Sequence, residues 1–132
     1  ESIYENCEVI HSLDRMKVAK LFAEIEKLKN VRRQYFIQIN TGSETQKSGV
    51  MLSDAEKFIT ECLASYNLNI VGLMCIPPFN EDPKKHFLTL AEMAKNFSLS
   101  SLSMGMSNDF DIALKCGATH IRIGTKIFGE RN

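Results

Sequence analysis

The sequence lacks several features that mark whole classes of protein. Sixteen basic residues balance sixteen acidic ones, so nothing predicts a nucleic-acid footprint or attraction to an anionic membrane. No apolar run approaches the roughly 18 residues of a membrane span, and the N-terminus lacks the basic start and apolar core of a signal peptide. The four cysteines are far apart and form no CxxC spacing. This favours reduced, mostly buried thiols in a cytoplasmic protein over a secreted disulfide framework.

Familiar catalytic motifs are also missing. The sequence contains no Walker-type or GxGxxG loop and no evident Ser-His-Asp or Cys-His arrangement. His11, His86 and His120 are spread out without metal-ligand spacing, which favours structural roles. What is present is an ordinary globular composition, 44% hydrophobic and 24% charged, sufficient for one domain with a core.

Short apolar segments alternate regularly with amphipathic ones. Strands are predicted at 7–11, 35–40, 69–76, 100–104 and 119–124. Helical periodicity fills the intervals, and the first helix is expected to bury Val18, Leu21, Phe22, Ile25 and Leu28. The side chains expected to cap or open helices are Ser12 or Asp14, the pair Ser53 and Glu56, Asp82 before Pro83, and Asp109. The order βαβαβαβαβ(α) implies a parallel sheet with helical crossovers.

The strand count leaves two α/β architectures open. A closed eight-stranded barrel needs about 250 residues, so this chain would supply part of one. A doubly wound open sheet fits the length equally well. In both architectures ligands bind at the C-terminal ends of the strands, so the residues that follow each strand are the candidates for a site. These segments are 11–14, 40–49, 74–79, 105–109 and 124–126.

Two of these strand ends offer groups that bind phosphate. In RIGT, Arg122 lies near a strand end, and Gly124 and Thr125 follow at the start of a helix. A glycine allows a phosphate to approach the backbone, and the N–H groups of a helix start bind anions. Ser107 offers a hydroxyl and an N–H group at the end of the preceding strand. The alternative for Gly124 is a tight strand-to-helix turn without a ligand.

Other strand-end residues are weaker candidates on composition alone. Met74 lies in an apolar strand, where core packing is the ordinary role. Lys47 and Lys126 lie in polar segments, where a solvated lysine is the default.

Five motifs in order carry a family resemblance: IHSLD, IQINTGSETQKSG, GLMCIPP, SLSMGMSND and THIRIGTKIFGERN. From about Glu8 to its end the chain resembles the pyridoxal phosphate homeostasis proteins, which are related to the N-terminal barrel domain of alanine racemase. The resemblance implies a β/α barrel that binds pyridoxal 5′-phosphate (PLP). The residues it implies at the cofactor are Arg122 facing the pyridine nitrogen, Ser107, Gly124 and Thr125 at the phosphate, Met74 beside the ring, and Lys47 near the mouth of the site.

The chain departs from the family pattern in one respect. Five strands are predicted where the family barrel has eight, so residues 1–132 are expected to form the C-terminal part of a single PLP-binding barrel domain. In the family, the lysine that forms the aldimine ends the first strand, and the corresponding strand is not in this sequence. We therefore expect a truncated or a degenerate form of the barrel that binds PLP at most weakly, through phosphate contacts and without covalent attachment. We also expect self-association through unpaired barrel edges.

The resemblance implies a cofactor-handling protein rather than an enzyme, since the family has no firmly established catalytic reaction. Arginine opposite the pyridine nitrogen disfavours its protonation, because two cations would face each other. An unprotonated ring is a weaker electron sink. Two alternatives remain open: an amino-acid (alanine) racemase-like PLP enzyme, and a generic phosphate-binding α/β domain.

Overall fold

Strands and helices alternate through the structure, a computed structural model that describes residues 9–30, 32–42, 49–78, 80–106 and 108–121. The strands are β1 (Val9–Leu13), β2 (Gln34–Asn40), β3 (Val50–Met51), β4 (Asn69–Met74) and β5 (Ser101–Ser103). The helices are α1 (Met16–Lys29), α2 (Leu52–Ala64), α3 (Pro83–Asn96) and α4 (Phe110–Lys115). The predicted α/β alternation is confirmed, although β1 extends two residues beyond its predicted span of 7–11, whose first two residues lie outside the described ranges.

The strands form one parallel sheet in the order β1-β2-β4-β5. An isolated parallel bridge joins Ser103 to His120, within the predicted strand 119–124, of which residues 122–124 lie outside the described ranges. The sequence did not predict β3, whose two residues pair with Ile39 and Asn40 at the end of β2. Apart from the short β3, neighbouring strands in the sheet follow one another along the chain, as βαβ units require.

The helices cover one face of this sheet, which we call the outer face, and the main apolar core lies between them. Strand residues Tyr35, Ile37 and Leu73 belong to that core and are at most 1% exposed. The helices contribute Ala19, Ile25, Ala55, Phe58, Ile59, Cys62, Phe87, Leu90, Ala94 and Ala113. Packing of the helices on this outer face holds the strands in place. The opposite face and the strand ends are therefore available for a binding site.

The buried stripe of α1 differs from the prediction. Leu21 and Leu28 are 49% and 85% exposed, whereas Glu26 is only 7% exposed. Glu26 accepts a hydrogen bond of 2.5 Å from the Tyr35 hydroxyl and one of 3.3 Å from the Arg33 backbone N–H. Because these bonds hold Glu26 inward, the helix turns its two leucines towards solvent.

The same cluster ties together the N-terminal ends of the strands. The Arg32 Nη1 atom lies 3.7 Å from Glu26 Oε1 and donates a hydrogen bond of 2.7 Å to the Asn67 carbonyl. Tyr35 is near the start of β2, and Asn67 precedes β4. Contacts at this end of a parallel barrel serve stability rather than chemistry, and the buried carboxylate has the partners that its burial requires.

Of the four predicted helix starts, one follows the prediction. Asp82 accepts a hydrogen bond from the Lys84 N–H with Pro83 at the first helical position, as predicted. No side chain caps α1, and the Asp14 carboxylate instead accepts from the Gly49 N–H. The predicted capping box of α2 is wrong because pairing of β3 carries Met51 straight into the helix, so Ser53 lies inside the first turn.

Candidate functional site

The second face of the sheet is buried but more polar than the outer face. Alternate strand residues point to opposite faces, so Phe36, Gln38 and Asn40 of β2 lie on the face opposite Tyr35 and Ile37. We call this the inner face. The register aligns Gln38 with Met74, and Met74 with Ser103, across three neighbouring strands. This inner-face row of Gln38, Met74 and Ser103 is 8%, 3% and 2% exposed, respectively.

The inner-face row combines an apolar side chain with polar groups on both sides. Burial of amide and hydroxyl groups is costly unless they find partners, so such groups are retained where a structure or a ligand uses them. Six residues were predicted at the cofactor. Of these, Met74 lies within the described ranges, at the centre of this row. Lys47, Ser107, Arg122, Gly124 and Thr125 fall outside the described residues.

A small cleft opens at the C-terminal ends of β4 and β5. It is lined by Cys75, Ile76, Ser103, Met104, Gly105 and Met106 and is too narrow to hold a water molecule. Ligand pockets typically enclose about 300–1,000 Å³, so the cleft marks an edge of a site and is not itself a complete pocket. It lies where ligands bind in parallel α/β folds.

The turn after β5 is shaped by a side chain that was expected to cap α4. Asp109 occupies the N-cap position, but its Oδ1 atom accepts a hydrogen bond of 2.6 Å from the Met106 N–H rather than from the helix. Gly105 in this turn has a φ of +107°, and a Cβ atom there would lie 2.7 Å from the Ala113 Cβ. The turn is therefore closed tightly against α4 beside the cleft.

Cys75 lies beside the same turn as a protonated thiol. Burial raises its pKa to about 12, the nearby Thr41 hydroxyl opposes that rise, and the Asp109 carboxylate adds to it. The Thr41 Oγ1 atom is itself buried and has no hydrogen-bond partner of good geometry among the described residues. A thiol with this pKa is a poor nucleophile at neutral pH, so Cys75 contributes packing to the cleft.

His120, which is bridged to Ser103 of β5, contacts the inner face. Its ring lies edge-on to that of Phe36, with 5.0 Å between the ring centroids, and its Nδ1 atom is 2.9 Å from Thr119 Oγ1. Burial lowers the pKa of His120, which favours the neutral imidazole at neutral pH. The sequence had indicated only a structural role for this residue.

The sequence did give signals for the inner-face residues that were missed. Gln38 and Asn40 alternate with Ile37 and Ile39 within an otherwise apolar strand. In a sheet whose strands are covered on both faces, such alternation marks a polar inner face. Ser103 carries no comparable signal, because a serine in a short strand is common.

A larger groove lies away from the strand ends. It has a volume of about 700 Å³ between α2 and α3, and its lining residues are Glu56, Lys57, Thr60, Glu61, Ala64, Ser65, Asn96 and Phe97. These residues lie towards the C-terminal ends of the two helices, which in a βαβ unit lead back to the N-terminal ends of the strands. Parallel α/β folds bind their ligands at the other edge.

Neither a metal centre nor a membrane span is found in the described ranges. No group of three or more His, Cys, Asp or Glu side chains there could hold a metal ion. His86 instead lies 2.8 Å from Glu81 Oε1 through its Nε2 atom. None of the described helices has both the length and the apolar character needed to cross a bilayer.

Comparison with known proteins identifies the fold family. The chain matches the model of the alanine racemase N-terminal domain over residues 1–132. It is 38% identical to the pyridoxal phosphate homeostasis protein of Aquifex aeolicus, covering 93% of this chain and 58% of that protein. The protein of the same name from Helicobacter pylori is 36% identical, with 92% and 57% covered. The chain thus spans less than two thirds of the length of these relatives.

Solved structures agree with this assignment. PipY of Synechococcus elongatus PCC7942, solved without PLP, superposes with a TM-score of 0.81 at 28% identity, covering 96% of this chain and 63% of that one. PipY with PLP bound gives a TM-score of 0.79 at 27% identity with the same coverage. The chain therefore belongs to the alanine racemase N-terminal domain family.

Proposed function

We propose that this chain binds PLP at the C-terminal ends of its parallel strands and that the protein acts in intracellular PLP homeostasis. The observation that carries the proposal is the buried inner-face row, in which Met74 lies between Gln38 and Ser103 beside the cleft. The names of the Aquifex and Helicobacter relatives, and the PLP-bound structure of PipY, support the identity of the ligand.

The described residues fit the chemistry of this cofactor. PLP has a flat ring with polar substituents, and a methionine between an amide and a hydroxyl offers both kinds of contact. When bound, PLP supplies an aldehyde and a ring that acts as an electron sink. The chain's own residues bind and orient it, and the buried inner face excludes water from one side of the ring.

The remaining contacts are proposed for residues outside the described ranges. Arg122 is expected to face the pyridine nitrogen, while Ser107, Gly124 and Thr125 hold the phosphate. Lys47 is expected near the mouth of the site. The turn between Gly105 and Asp109 lies at the C-terminal end of β5, where barrels of this class often place phosphate groups.

We further propose that these residues bind PLP without covalent attachment. The described lysines all lie on helices with exposed side chains, and none is on the inner face. They are Lys17, Lys20, Lys27, Lys29, Lys57, Lys84, Lys85, Lys95 and Lys115. A solvated lysine is largely protonated at neutral pH and is a poor nucleophile. Borohydride reduction with PLP, followed by peptide mass spectrometry, should label no single lysine to completion; complete labelling of one lysine contradicts this part.

A pair of glutamine variants tests the site itself. Gln38→Leu replaces an amide on the inner face, whereas Gln34→Leu makes the same change at an exposed position of the same strand. Loss of one hydrogen-bonding group should weaken PLP binding about 3- to 10-fold in the first variant and leave the second like wild type. Equal affinity in both folded variants, measured by equilibrium dialysis, refutes the site. Phosphate binding with no preference for PLP would favour a generic phosphate-binding domain.

Self-association and location complete the proposal. Within the described part of the sheet, β1 pairs with β2 alone, and Leu21 and Leu28 of the neighbouring helix are exposed. Residues 1–132 are proposed to be the C-terminal part of a barrel domain, and such edges and apolar surfaces promote association. Light scattering should detect dimers or larger species; a monodisperse monomer contradicts the proposed self-association.

We propose a cytoplasmic location because Cys62, Cys75 and Cys116 are free thiols. Cell fractionation can test this location.

A further inference from the structure

Asp14 makes a contact that its position next to α1 did not predict. It follows β1, and its Oδ2 atom accepts a hydrogen bond of 2.8 Å from the Gly49 backbone N–H, 35 residues away in sequence. A carboxylate that accepts from a backbone N–H makes one of the stronger classes of hydrogen bond. The end of β1 is therefore tied to Gly49, the residue just before β3.

Gly49 is held closely against the last residue of β2. Its φ is +112°, and a Cβ atom there would lie 2.8 Å from the Asn40 nitrogen and 3.1 Å from the Ile39 carbonyl carbon. Only a glycine in this conformation allows such an approach. Asp14 thus holds a backbone segment that lies directly on Asn40.

The residues after Gly49 hold Asn40 from a second direction. Val50 and Met51 pair in parallel with Ile39 and Asn40. The Asn40 Nδ2 atom also donates to the Met51 sulfur at 3.5 Å. Asn40 is 6% exposed and lies on the inner face two residues beyond Gln38, so its placement depends on the segment that Asp14 anchors.

We propose that Asp14 is a positioning residue for the inner face: through Gly49 it holds Asn40 beside the ligand that binds at the strand ends. This inference rests on the proposed PLP site. It assigns Asp14 no contact with PLP, because its carboxylate is already engaged by the Gly49 N–H. A carboxylate that only stabilised the fold would affect unfolding without changing ligand affinity in the folded protein.

The experiment compares three aspartate variants of the whole chain. Asp14→Ala removes the acceptor, Asp14→Asn keeps an oxygen that can accept from Gly49, and Asp82→Ala removes a similar carboxylate-to-backbone bond at the start of α3. Amide hydrogen exchange of Gly49 reports the bond, and equilibrium dialysis with PLP reports the site. Thermal unfolding shows that each variant is folded under the assay conditions.

Asp14→Ala should speed Gly49 exchange and weaken PLP binding, each by about tenfold, the size expected for a hydrogen bond to a charged group. Asp14→Asn should restore both to within about threefold of wild type, and Asp82→Ala should change neither. Met51→Leu removes the sulfur that accepts from Asn40 while keeping a similar side-chain volume. It should weaken PLP binding by a smaller factor than Asp14→Ala, and it tests the placement of Asn40 if Asp14→Ala does not fold.

The outcomes separate this inference from the proposed function. Failure of the wild-type chain to bind PLP overturns the proposed function. Normal PLP affinity in wild type and in folded Asp14→Ala overturns the positioning role alone, even if Gly49 exchange is faster. Equal losses in Asp14→Asn and Asp14→Ala also overturn it, because the retained acceptor should have rescued binding.

Discussion

Replacement of Tyr35 by phenylalanine should lower stability without lowering PLP affinity. The change removes the hydroxyl that donates to Glu26 at 2.5 Å and keeps the ring, whose centroid is 5.5 Å from that of Phe22. A hydrogen bond to a charged group contributes about 1.5–3 kcal/mol. The Arg33 N–H at 3.3 Å and the Arg32 guanidinium at 3.7 Å still face Glu26, so we expect a loss of about 2 kcal/mol in the free energy of unfolding.

Urea and thermal unfolding measure this loss, which corresponds to a fall in Tm of roughly 5–10 °C for a chain of this size. Tyr66→Phe removes a hydroxyl from a ring that is only partly buried and should change stability by less than about 0.5 kcal/mol. A double-mutant cycle with Glu26→Ala, which removes the acceptor, measures the coupling between the two side chains. The reasoning is wrong if Tyr35→Phe is as stable as Tyr66→Phe, or if it weakens PLP binding in the folded protein.

Other regions give three further predictions. Gly72→Ala should destabilise the chain by about 3 kcal/mol or more, because a Cβ atom would lie 2.1 Å from the Ser101 carbonyl oxygen across the β4–β5 pairing; a stability within 1 kcal/mol of wild type, by urea unfolding, argues against this packing. In the native chain a thiol reagent should modify Cys116 well before Cys62 and Cys75, whose pKa values burial raises to about 12; equal rates contradict their burial. The pKa of His120 is lowered by burial, so its contribution to stability is present above its unfolded pKa of about 6.5 and is lost as pH falls. His120→Gln should flatten that part of the stability–pH curve, and an unchanged slope excludes the effect.

Much of the fold follows from local sequence, because the strands and helices carry strong periodic signals. The segments around Ile37 and Leu73 are apolar enough to be strands covered on both faces, and the structure has them so. Strand β3 was missed because two residues are too few to show a period. The orientation of α1 was also missed, since burial of Glu26 depends on Tyr35, a partner in another element.

The candidate site was less predictable for a related reason. Met74 was predicted at the cofactor from a family resemblance, while on composition alone it was an ordinary core residue. Its polar neighbours Gln38 and Ser103 are brought beside it only by strand register, which the sequence of a single strand does not contain. Asp14 looked like a helix cap because its true partner, Gly49, is remote in sequence.

The chain leaves the sheet after Asn40 and comes back to pair with that same residue through Met51. Both ends of the intervening segment are therefore fixed by the sheet, whatever its length. Lengthening such a closed segment costs only about 0.6 kcal/mol for each doubling, and the register of the neighbouring strands does not depend on it. The pairing of Asn40 with Met51 therefore sets the geometry at this end of the sheet independently of the number of residues that separate the two strands.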